Sequence, residues 1–122
     1  MSEQQQLYPA PSRDLAELRK NLAPKTAEAF KAFSQSVFAD GALSAKTKQL
    51  IAVAVAHVTQ CPYCIRGHTN AAMQSGATGQ EIMEAIWVAS EMRAGAAYAH
   101  SALALDTMRQ FEAGQAGDKS GA

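Results

Sequence analysis

Helix punctuation, repeated along nearly the whole chain, most narrows what this sequence can fold into. Ser12 stands where a side-chain oxygen caps a short helix running to about Leu22, and Pro24 fits the first turn of a second, where its missing N–H costs nothing. The second helix turns Phe30, Phe33 and Val37 to one side, with Phe38 beside them and Gly41 just past its end. Ser44 caps the segment SAKTKQLIAVAVAHVTQ, Cys61-Pro62 restarts the chain as cap and first helical residue, and Gly76 closes that short helix. Thr78-Gly79-Gln80-Glu81 matches a capping box, and Ile82, Ala85, Ile86 and Ala89 follow at helical spacing. The pattern continues to about Phe111, with an interruption expected near Gly95, where RAGAAYAHSALA is almost entirely small residues. Hairpin signals are lacking: Asp40-Gly41 comes nearest, and a helix start follows it. Ile51–Val58 alternates like a strand, but its length from the Ser44 cap and its interleaved alanines fit a buried helix better. The expected fold class is all-α, a compact bundle of five to six helices.

Composition sharpens this. Of the 122 residues, 26 are Ala, so little apolar area is buried per residue and the core is thin; contacts between identical subunits are expected to supply part of the missing burial. Lys and Arg total 11 and Asp and Glu total 11, which leaves no basic excess for a nucleic acid. Residues 1–11 and 113–122 have the polar, Gly- or Pro-containing composition of flexible tails around one domain at 12–112. MSEQQQLYPAP resembles neither a signal nor a transit peptide, and the apolar run Leu50–Val58 is about half of the ~20 residues that span a bilayer, so no membrane association is expected. Two cysteines three positions apart make no secreted disulfide scaffold. In a cytoplasmic chain they point to redox or metal chemistry.

The chemistry concentrates in CPYCIRGH. With Pro62 as the first helical residue, Cys61 is the cap and Cys64 lies on the same first turn, at a Cα separation of ~5.5 Å that suits a disulfide. Both sulfurs then sit at the positive end of a helix dipole, which favours thiolate. His68 is one turn beyond Cys64 on the same face, placed to take its proton or stabilise its thiolate. Between Gly41 and Gln80 there is no Asp or Glu, whereas Lys46, Lys48 and Arg66 are present, a field that welcomes thiolates unless it is simply an acid-poor surface. Three readings compete for the cysteines: inert core thiols, zinc ligands, or a redox dithiol in which one thiolate attacks and the other resolves. C-x2-C-x3-H gives zinc three donors, with only His57 or His100 to complete the set; the redox reading is preferred. His57 reads either as a satisfied helix histidine or as an extra proton carrier folded over the site. Tyr63 reads as a rim aromatic, Trp87 with Met83 and Met92 as core, and Gln49 by itself as an ordinary polar helix residue.

The segment LSAKTKQLIAVAVAHVTQCPYCIRGHTNAAMQSGATGQEIMEAIWVA resembles the core of the carboxymuconolactone decarboxylase superfamily, in its alkylhydroperoxidase D-like branch. The likeness is close over residues 43–90 and rests on C-x-x-C-x-x-x-H, the following H-T-x-A-A, and G-A-T before an acidic helix start. It implies an all-helical fold in homotrimers or homohexamers and a thiol-dependent hydroperoxide reductase without a cofactor or metal. Its substrate would be a hydroperoxide and its reductant an external dithiol. By the same resemblance, Cys64 would attack the peroxide, Cys61 would resolve the sulfenic acid, and His68 would belong to the proton relay. The decarboxylase branch lacks the paired cysteines, which argues against that activity. Gln49 occupies the family's Glu position, twelve residues before the first cysteine; it can orient but cannot accept a proton, so His57 or a Glu such as Glu84 would have to serve. The alternatives are a general thiol-disulfide oxidoreductase and a zinc-stabilised helical module. CPYC is also the glutaredoxin tetrapeptide, but glutaredoxins need a preceding strand and a later proline, and here no proline follows Pro62.

Overall fold

The computed structural model describes residues 7–120, with side chains to Gly117; residues 1–6 and 121–122 of the two expected tails lie outside the described residues. The described chain is all helical, with five helices in the order α1 (Arg13–Leu22), α2 (Pro24–Phe38), α3 (Ala45–Thr59), α4 (Pro62–Gln74) and α5 (Gly79–Ser120). It forms two compact units divided between Asp40 and Gly41, a division inside the stretch expected as one domain.

The first unit holds α1 and α2. Ser12 caps α1 by accepting from the Leu15 amide at 3.2 Å, and Pro24 opens α2. Phe30 and Phe33 share a side of α2, their ring centroids 6.4 Å apart. Leu18, Leu22, Phe30 and Phe33 are all exposed, and neither helix contains a buried residue.

The second unit holds α3, α4 and α5. Ser44 caps α3 by accepting from the Thr47 amide at 3.1 Å, so the ambiguous Ile51–Val58 run is helical. Gln60 ends α3 in the left-handed region, at φ 58°, with its N–H on the Ala56 carbonyl. Gly76 ends α4 at φ 93°, a conformation that glycine adopts without strain. There Gly76 N–H bonds Met73 O at 3.0 Å and Ala77 N–H bonds Ala72 O at 2.9 Å, which satisfies the last carbonyls and packs Ala77 beside Ala72. The capping box at α5 is reciprocal: Glu81 N–H donates to Thr78 Oγ1 at 3.1 Å, and Thr78 N–H donates to Glu81 Oε1 at 2.9 Å. Glu81 Oε2 also meets Lys46 Nζ at 2.8 Å, joining the first turns of α3 and α5. Hydrogen bonds from Lys46 and from the Thr78 amide hold the Glu81 carboxyl below its ordinary range.

The core is as thin as the alanine content implies. Val53, at 0% exposure, packs with Ala72, Ala77 and Ile82, and Leu50 and Ile86 border them. Two expectations are corrected. No interruption occurs at Gly95: α5 runs unbroken to Ser120, into the stretch whose composition suggests a tail. A single glycine lowers helix stability without breaking the hydrogen-bond ladder. Nor are Trp87, Met83 and Met92 core residues; Trp87 is 67% exposed. The inward face of α5 is Ile82, Ile86 and Ala89; Met83 and Trp87, one position beyond Ile82 and Ile86, are turned ~100° away from it, and Met92, a turn past Ala89, is exposed as well. Among the described residues no helix is long and apolar enough to cross a membrane.

Candidate functional site

Local sequence builds the dithiol. Pro62 supplies the helical φ at the first position of α4 and needs no hydrogen-bond acceptor, which leaves Cys61 as an extended cap residue. Its sulfur accepts from the Cys64 amide at 3.3 Å, as a cap oxygen would. That geometry places the two half-buried cysteines together: Cys61 and Cys64 are disulfide-bonded, with Cα atoms 5.2 Å apart. When reduced, either thiolate would lie on the first turn of α4, where unpaired amides and the helix dipole favour negative charge.

His68 lies one turn beyond Cys64 on α4 and is half-buried. Its Nδ1 lies 2.7 Å from Gln49 Oε1 across the α3/α4 contact. The antiparallel hairpin explains the pairing. Its turn is closed by Cys61 N–H on Ala56 O at 3.2 Å, and Gln49 lies as far before Ala56 as His68 lies after Cys61. Gln49 therefore is more than the ordinary polar residue its local sequence suggests. Counting outward from a two-residue connection between helices is the signal that could have found it.

The other candidates are placed differently. His57 is half-buried and donates Nδ1–H to Val53 O at 2.7 Å, the satisfied-helix arrangement. His100 bonds Ala96 O in the same way at 2.8 Å, on the exposed second half of α5. Tyr63 is exposed on the first turn of α4, and Glu84 is exposed on α5. The positive field is smaller than the acid-free stretch suggests, because Lys46 is paired with Glu81, the first acid after that stretch. Among the described residues no three His, Cys, Asp or Glu side chains come together as metal donors, so the zinc alternative lacks a donor set there.

Known proteins share this arrangement of helices. Residues 24–107 match the model of the carboxymuconolactone decarboxylase family. The chain is 65% identical over 85 residues to uncharacterized protein 4 in the cox locus of Paracoccus denitrificans, covering 70% of this chain and 77% of that protein. A carboxymuconolactone decarboxylase family protein of Legionella pneumophila, solved in its apo form, superposes with a TM-score of 0.60 at 39% identity, over 65% of this chain and 70% of that one. A family member from Thermotoga maritima, for which a role in an antioxidative response has been raised as a possibility, gives a TM-score of 0.50 at 34% identity, over 52% of this chain and 66% of that one.

Proposed function

The chain belongs to the carboxymuconolactone decarboxylase family, and from that premise we propose that it is a thiol-dependent alkyl hydroperoxide reductase of the alkylhydroperoxidase D-like kind. One observation carries the reading: a Cys61–Cys64 disulfide formed on the first turn of α4, with His68 one turn along. The antioxidative role raised for the Thermotoga maritima neighbour supports it.

In the proposed cycle the reduced Cys64 thiolate attacks the terminal oxygen of a hydroperoxide. An S–O bond forms as the O–O bond breaks, and the alkoxide takes a proton from the His68 imidazolium to leave as alcohol. The Cys61 thiolate then attacks Cys64 Sγ, forming the disulfide and releasing the sulfenic oxygen, which leaves with a proton as water. An external dithiol attacks Cys61 Sγ, its second thiol closes the reductant's own disulfide, and both protein thiols are restored. The net change is hydroperoxide and dithiol to alcohol, water and disulfide. The exposed apolar side chains of α5 support the further proposal of a homo-oligomer, a homotrimer or homohexamer by the family resemblance, and the sparse, paired cysteines are the basis for proposing a cytoplasmic setting.

Purified protein should consume an alkyl hydroperoxide in the presence of a dithiol, and Cys64→Ser should reduce that consumption to background. Equal turnover by the variant would sink the proposal. One observation favours a second reading, a general thiol-disulfide oxidoreductase: the side chain bonded to His68 is the Gln49 amide, which cannot carry a proton onward. Disulfide exchange with peroxide reduction near background would select it.

A further inference from the structure

The contact between Gln49 and His68 defines the proton chemistry of the site more closely than the presence of a histidine does. An amide oxygen only accepts hydrogen bonds, so the 2.7 Å approach of Gln49 Oε1 places a proton on His68 Nδ1. In a neutral ring the basic nitrogen is then Nε2. We propose that Gln49 is a positioning residue that fixes His68 as the Nδ1–H tautomer through an uncharged acceptor and so sets the orientation of the ring. The inference rests on the peroxidase reading for its purpose but not for its test.

The arrangement suits a proton borrowed and returned. Nε2 takes the proton of the Cys64 thiol, the ring becomes imidazolium, and the same proton passes to the alkoxide as the O–O bond breaks. Nδ1 stays protonated in both ring forms, so the bond to Gln49 Oε1 persists through the cycle and no side chain has to turn between steps. A carboxylate at this position would make the same bond but would add a negative charge and stabilise the imidazolium, so the ring would take the thiol proton more readily and return it to the alkoxide less readily. Gln49 is able to do this because α3 holds it rigidly: the helix is capped at Ser44 and anchored by fully buried Val53 one turn further on.

The tautomer can be read directly in the full-length, disulfide-bonded protein, where no turnover is required. Long-range ¹H–¹⁵N correlation spectra of the wild type should show His68 protonated at Nδ1 when neutral. In Gln49→Leu the amide acceptor is gone and the Nδ1–H share of His68 should fall relative to wild type. Gln49→Glu should keep Nδ1–H and raise the His68 titration midpoint by about 1–3 units relative to wild type. His57 is the internal control, since its Nδ1–H bond to Val53 O is independent of position 49 and should be unchanged in each folded variant. An Nε2–H form at His68 in the wild type, a Gln49→Leu spectrum like the wild type's, or an unmoved midpoint in Gln49→Glu would each overturn the proposal. The wild-type spectrum alone decides the first point if a variant does not fold. An Nδ1–H tautomer together with background peroxidase activity would uphold this role and strike only the peroxidase reading.

Discussion

The two halves of the second unit contrast sharply. Around the start of α4, side chains are held by their own chain: Val53 and Ala72 are fully buried, Gln49 grips His68, and Cys61 and Cys64 share a helix cap. In the second half of α5, from Ala96 to Gly117, every residue is exposed, including Tyr98 at 83% and Leu103 and Phe111 at 67% each. The same polypeptide thus builds a preorganised reactive end and a long apolar rod. A helix of this length carrying so much apolar surface is marginal in water without tertiary contacts, since helical stability comes mostly from packing an amphipathic face. The difference teaches that the contacts of the candidate site are made within one chain, while the rod fits the proposed homo-oligomer.

The largest effect tests the reactive end. Cys64→Ser should lower peroxide consumption at least a hundredfold with the fold intact by circular dichroism, whereas Leu103→Ala should leave each subunit's dithiol titration unchanged. A comparable loss of thiol reactivity in Leu103→Ala would erase the distinction between the two regions.

Stability gives the next largest contrast. Val53→Ala removes two methyl groups from a site with no exposure and should cost about 2 kcal/mol in urea denaturation at any protein concentration. Leu103→Ala should cost less than about 0.5 kcal/mol in dilute protein, as exposed positions do, but should lower the assembly mass seen by light scattering in concentrated protein. Equal costs in dilute protein would mean that the rod is already packed within one chain.

The joint between α3 and α5 supplies a pH-dependent test. The Glu81 carboxyl titrates lower in the folded protein than in the unfolded chain because Lys46 and the Thr78 amide bond its charged form. Its contribution is therefore present above the ordinary carboxylate value of 4.5 and is lost as pH falls through the lower folded value. Glu81→Gln should be less stable than wild type at neutral pH, with the gap closing in acid. Thr78→Ala removes the other half of the capping box and should cost about 1 kcal/mol with no such closing. A Glu81→Gln deficit independent of pH would assign the joint to packing rather than charge.

What the sequence reveals follows the same division. Caps are local chemistry, so Ser12, Ser44, Cys61 and Thr78 are readable one by one, and each caps as expected. The cysteine spacing is readable for the same reason, because a shared first turn fixes the Cα distance. Gln49 is not readable locally, since its meaning depends on a histidine nineteen positions away across a helix hairpin. The outward turn of Trp87 was hidden too: periodicity locates an apolar stripe, but α5 carries apolar residues beyond the width that its own chain can cover.

A smaller effect than those at Val53 and Thr78 bears on the boundary between the two regions. Gly95 lies in the unbroken helix, where the small-residue run suggests a break, and the nearest atoms a Cβ added there would meet are those of the Glu91 carboxylate, with Oε1 at 3.1 Å. Glu91 is exposed and its side-chain end can swing aside, so the helical gain of alanine over glycine should prevail. Gly95→Ala should stabilise the protein by about 0.5–1 kcal/mol, read as a small rise in the urea midpoint without a change in slope. If the helix instead bends at Gly95 through a conformation only glycine tolerates, the substitution would destabilise by more than that. The sign of this one change therefore decides whether the reactive end and the apolar rod are one rigid helix or two segments meeting at a hinge.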